Sequence, residues 1–151
     1  MRPWLLVLIA VGCGGKDEAT PDGEWKVTVT GVETDCTTSN QGYSEDFVYQ
    51  LFFDGSDVNI EIDGESYAIG TRSGCALDYQ SAIWLEERST GALRWQIIGE
   101  AEVQGADGGC DLPEGLDWNG TETLTVLESE DPDVLAGCTY GMTVEGTLLG
   151  G

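Results

Sequence analysis

Histidine is missing from this chain, and basic side chains are scarce: 6 Lys and Arg stand against 28 Asp and Glu. Without an imidazole there is no Ser-His or Cys-His catalysis and no histidine metal ligand. The formal net charge of −22 argues against a nucleic-acid partner, because phosphates are held by Lys and Arg. No Cys-x-x-Cys pair occurs among the 5 cysteines, so zinc-site spacing is lacking too. No apolar run approaches the roughly 20 residues that a membrane-spanning helix needs. No segment keeps a sustained helical period. What remains is a chain of 151 residues with 40% hydrophobic side chains, enough for one domain with a real core.

The first residues read as an address. Arg2 precedes an apolar run from Trp4 to Val11, and small residues lead into a cysteine. That is the order of a secretory signal. Ala10-Val11-Gly12-Cys13 resembles the lipobox of bacterial lipoproteins. The resemblance implies removal of residues 1–12 and lipidation of Cys13. It also implies attachment to the bacterial envelope, at the outer membrane because Gly14 and not aspartate follows the cysteine. Several acyl chains anchor stably where one is marginal. Residues 13–22 then form the lipidated cysteine and a solvated tether. Residues 23–151 form a single domain.

Subtracting Cys13 leaves Cys36, Cys75, Cys110 and Cys138, an even number that suggests two disulfides in an exported chain. Along the domain the dominant period is two. Trp25, Val27 and Val29 alternate with polar neighbours, as do Val58, Ile60 and Ile62. Phe47, Tyr49, Leu51 and Phe53 share a face, and so do Leu93, Trp95, Ile97, Gly99, Ala101 and Val103. Tyr67 pairs with Ile69, and Tyr79 and Ser81 with Ile83 and Leu85, which leaves Trp84 on the opposite face. Leu124 with Val126, and Tyr140, Met142, Val144 and Leu148, complete about eight half-buried strands. Asp54-Gly55-Ser56-Asp57 and Asp63-Gly64 supply tight hairpin turns. Longer loops are expected at 34–45, 105–119 and 129–137, with Asn119-Gly120 read as turn chemistry.

This pattern predicts an all-β domain, an eight-stranded antiparallel up-and-down barrel. A two-sheet β-sandwich is the alternative. Barrel parity places Cys36 and Cys138 at one end, and Cys75 and Cys110 at the other. The expected bridges are therefore Cys36–Cys138 and Cys75–Cys110, since a disulfide needs Cα atoms within about 7 Å. Gly23-Glu24-Trp25 opening such a meander resembles the lipocalins and the wider calycin group. The resemblance implies that Trp25 closes one barrel end and that the interior holds a small apolar ligand. Two of that group's features are missing here: no Lys or Arg follows Arg94, and no long helix follows the strands.

The candidate ligand-binding residues are the inward aromatics Trp25, Tyr49, Tyr67, Tyr79, Trp95 and Tyr140. Tyrosine and tryptophan bring a polar tip to an apolar wall. No catalytic residue, metal ligand or cofactor is expected. The acid clusters at Asp107, Asp111, Glu114 and Asp117 and at Glu128, Glu130, Asp131 and Asp133 read as solvated surface. Nothing in the sequence supports a pair of catalytic carboxylates, so no enzyme is expected. Two readings follow. The first is a lipid-anchored carrier of a small apolar or aromatic ligand. The second is a solid-core module that binds another envelope protein through the 34–45 loop and Tyr43. A cavity of roughly 300 Å³ or more separates them.

Overall fold

The computed structural model describes residues 20–104, 110 and 115–150. The signal segment, Cys13, most of the tether and most of the first acid cluster lie outside the described residues. Nine strands follow in order: β1 (Gly23–Thr34), β2 (Ser44–Asp54), β3 (Asp57–Ile62), β4 (Glu65–Ser73), β5 (Ala76–Ser81), β6 (Trp84–Glu86), β7 (Leu93–Val103), β8 (Trp118–Ser129) and β9 (Thr139–Gly150). Each pairs antiparallel with its neighbours, β1 joins β9, and β5 joins β7. The sheet thereby closes into an eight-stranded barrel, with β6 as one short addition beside β7. Closure leaves no long unpaired edge of the kind that recruits other chains.

Alternation explains which residues face inward. Trp25, Val27, Val29, Tyr49, Leu51, Val58 and Ile60 are all buried, while Lys26, Glu61 and Asp46 face out. The two expected hairpin turns are present, and Gly74-Cys75 makes a third of the same length. Asp63 and Gly64 both take positive φ, 54° and 81°. That conformation suits a two-residue hairpin whose twist matches its strands, and Asp and Gly tolerate it.

Alternation fails at two places that bear on the cavity, each for a local reason. In β4, Ile60 faces Ala68 but Glu61 faces Ser66, so Tyr67 is an extra residue in a bulge. Tyr67 and Ala68 consequently both turn inward, and Ile69 is 59% exposed instead of sharing Tyr67's face. Between β5 and β6, Gln80 pairs with Ile98 and Trp84 with Trp95. Three residues, Ser81 to Ile83, thus span the same ladder as Gln96 and Ile97. The phase reverses there: Trp84 turns inward, and Ile83 and Leu85 turn out. The buried Ser81 hydroxyl holds the break, accepting from Ile97 N–H at 2.9 Å and donating to the Ala82 carbonyl at 2.7 Å. Asn119-Gly120 is not a turn. Both residues lie within β8, opposite Glu102 and Ala101.

The barrel has two unlike ends. At one end Trp25 and Trp118 meet edge to face, with ring centroids 5.8 Å apart. Leu51, Leu77 and Val103 pack around them. Trp25 Nε1 donates to the Gln104 carbonyl at 3.2 Å, so this end is shut by a tied tryptophan. Gly99 faces the Tyr79 ring so closely that a β-carbon there would overlap it. The Cys75–Cys110 bridge sits at this end, and Cys36–Cys138 sits at the other. Their Cα separations are 6.2 and 5.1 Å. Both pairings follow the parity of the strands.

Candidate ligand-binding site

The Cys36–Cys138 end is hollow. A cavity of about 750 Å³ opens there. Its wall includes Phe47, Tyr49 and Tyr67 on one side and Trp84, Trp95 and Tyr140 on the other. Strand phase places these rings. Phe47 and Tyr49 alternate inward along β2, the bulge turns Tyr67 in, and the β5–β6 break turns Trp84 in. Tyr67 stacks at 5.7 Å on Trp84, which meets Trp95 at 4.6 Å. A further hollow of about 890 Å³, on the barrel's flank, is bordered by outward residues such as Ile69, Gln80, Ile98 and Thr123.

A buried carboxylate lies at the cavity floor. Glu122 is in phase with Leu124 and Val126 on β8, so it points inward and is only 2% exposed. Tyr49 and Tyr79 donate to its Oε2 at 2.8 and 2.7 Å, and Tyr67 donates to its Oε1 at 2.7 Å. A carboxylate offers about four acceptor positions, and these phenols fill three of them. Burial, and next the Glu122 charge, push the phenols of Tyr49, Tyr67 and Tyr79 well above the ordinary tyrosine value. Tyr43, at the mouth, donates to Glu45 Oε1 at 3.0 Å. Partial burial, then the bond to Glu45, push its pKa up to about 12.

These shifts carry a pH dependence. The unfolded phenols release their protons around 10.0, where the folded ones still hold theirs. Above that pH the unfolded chain binds fewer protons than the fold, so stability falls as pH rises. Below it the full contribution is present. In an alkaline titration, the phenolate absorbance of Tyr43, Tyr49, Tyr67 and Tyr79 is expected to appear only above the normal range, the three buried ones together with loss of the fold. Reversible ionisation of these three near the ordinary value, with the fold intact, would contradict the cluster.

The mouth is framed by residues 35–43, which are strapped to β9. Cys36 bridges Cys138, Asn40 Nδ2 donates to the Gly141 carbonyl at 2.9 Å, and the Thr38 and Tyr140 hydroxyls bond each other. Across the mouth, Asp131 ties two more loops. The Thr90 hydroxyl, the Asp133 N–H and the nearby Arg88 hold its carboxyl below the usual range. Asp35, Cys36 and Cys138 also gather closely enough to suggest a metal site. Both sulfurs are already in the disulfide, and Asp35 accepts from Thr139 N–H at 2.7 Å.

The six aromatic candidates divide. Tyr49, Tyr67, Trp95 and Tyr140 line the cavity. Trp25 and Tyr79 do not: Trp25 belongs to the shut end, and Tyr79 is buried behind Glu122. Sequence reasoning passed over Glu122 and Trp84 as site residues, and it read Phe47 as inward without naming it a candidate. Glu122 had a readable signal, since it keeps the parity of Leu124 and Val126. Trp84 had none, because a one-residue break in a strand leaves no mark in the apolar pattern.

No family model, curated protein or solved structure matches the chain. Fold and site define its class by themselves: a closed up-and-down β-barrel, packed at one end and hollow at the other.

Proposed function

We propose that this chain is a lipid-anchored protein of the bacterial envelope whose barrel carries a small apolar or aromatic ligand without catalysis. The observation that carries the reading is the cavity of about 750 Å³ walled by aromatic rings. Ligand pockets start at roughly 300 Å³ and are mostly apolar with a few placed polar groups. The barrel form is compatible with the lipocalin-like resemblance. The lipobox around Cys13 supports the anchor, and the acidic surface would be repelled by anionic lipid, which leaves attachment to the acyl chains.

A second reading has its own observation. Ile83, Leu85 and Leu135 are each more than half exposed, and Tyr43 stands at the mouth. Such side chains suit a docking partner at that end.

A fluorescent naphthalene dye that brightens in apolar surroundings separates the two. The carrier reading expects saturable binding at one site per chain and energy transfer from Trp84 and Trp95. It expects Trp84→Ala to weaken both. Absence of saturable binding by the oxidised chain would favour the docking reading.

A further inference from the structure

The carrier reading leaves the ligand's charge open, and the cavity walls bear on it. Glu122 sits at the floor with three phenols donating to it, so one acceptor position on Oε1 stays free. Asn40, in the segment that frames the mouth, borders the same cavity, and its buried Oδ1 has no donor among the described residues. Both groups therefore ask for a donor. Asp63 and Glu65 add two more carboxylates to the lining.

No countercharge comes from the described residues. The four basic side chains among the described residues are all engaged away from the cavity. Lys26 lies 3.8 Å from Asp46, Arg94 lies 3.0 Å from Glu128, and Arg88 lies 3.2 Å from Glu86. Arg72 lies over the Phe53 ring at 4.0 Å. A buried carboxylate without a cation is costly unless hydrogen-bonded. The phenols supply those bonds but no positive charge. Above the floor stand the rings of Tyr67, Trp84, Trp95 and Tyr140. The faces of such rings attract cations.

Resting on the carrier reading, we propose that the cavity selects an organic cation, an ammonium group on an aromatic or apolar body. The ammonium N–H groups meet Glu122 Oε1 and Asn40 Oδ1, and the body lies among Trp84, Trp95 and Tyr140. An anionic ligand, such as a fatty acid, would bring its carboxylate against Glu122, where like charges repel in a low-dielectric site. This preference is set by charge and is separate from the apolar fit.

Calorimetric titration of the purified, oxidised full chain with three probes of similar size tests it. The probes are phenethylammonium, phenethyl alcohol and hydrocinnamate, at neutral pH. The expected order is the ammonium first, at least about tenfold tighter than the alcohol, with the anion weakest. Glu122→Gln should remove most of that preference, lowering the ammonium's affinity far more than the alcohol's. Should that variant fail to fold, Asn40→Leu provides the same comparison from the mouth. It should weaken the ammonium more than the alcohol. Equal binding of ammonium and alcohol, or tightest binding by hydrocinnamate, would overturn the charge assignment and leave the carrier reading standing. Failure of all three probes overturns the assignment as well. If the naphthalene dye also fails, the carrier reading falls with it.

Discussion

Replacing Glu122 with leucine is expected to destabilise the fold by about 4 kcal/mol, because three buried or half-buried phenols lose their acceptor at once. Each unsatisfied hydroxyl costs about 1–3 kcal/mol. The opposing term is release of a buried charge, which can favour an apolar replacement when all partners are replaced together. Here the partners remain, so the loss dominates. Single domains are stable by only about 5–15 kcal/mol, so the variant should unfold at much lower urea concentration. Glu122→Gln keeps a carbonyl acceptor and should lose less. Changing Tyr49, Tyr67 and Tyr79 to phenylalanine together in the leucine background should recover part of the loss, since removing both sides of a hydrogen bond costs less than removing one. Urea melts of these variants decide the matter. A leucine variant as stable as the parent would mean that the carboxylate is not the centre of the barrel's polar network.

The second large effect is expected from the disulfides, and it has an order. The Cys36–Cys138 bridge spans 102 residues and Cys75–Cys110 spans 35. A cross-link restricts the unfolded chain more when its loop is longer, giving about 4.7 kcal/mol for the first and about 4 kcal/mol for the second. Removing Cys36 and Cys138 together should therefore cost slightly more than removing Cys75 and Cys110 together. The first pair also closes β1 to β9 at the hollow end and straps residues 35–43 across the mouth. Its loss should weaken dye binding in chains that are still folded, whereas loss of the second pair at the shut end should not. Chemical denaturation and dye titration of the two double variants check both statements. A reversed effect on binding would mean that the mouth is not where the cavity opens.

The sequence exposed the barrel to reading because most strands obey strict alternation. Trp25 to Val29, Phe47 to Phe53 and Leu93 to Val103 each carry their buried side chains at every second place. Strand parity then located both disulfides without knowledge of side-chain contacts. Two of the failures share one physical cause. A single inserted residue, Tyr67 in β4 or one of Ser81 to Ile83 between β5 and β6, reverses the inward phase at almost no cost in apolar pattern. Those two insertions turn Tyr67 and Trp84 into the cavity, so part of the site is made where alternation fails. Glu122 was missed for a different reason. A carboxylate between threonines reads as a solvated face, and only the tyrosines on three other strands make it a buried one. Asn119-Gly120 reads as a turn locally, but the ladder with β7 overrides that preference.

The central claim is that this barrel is a container. Native mass spectrometry of the full chain, exported through a bacterial envelope and released gently from it, tests that claim most directly. The account expects a species heavier than the oxidised, processed chain by one small molecule, lost on denaturation. Two disulfides should lower the reduced mass by about 4 Da, and cleavage before Cys13 with added acyl mass would report the anchor. A chain that emerges bare, and stays bare after incubation with the aromatic ammonium and neutral probes, would contradict the account. The hollow end would then be a docking surface for another protein.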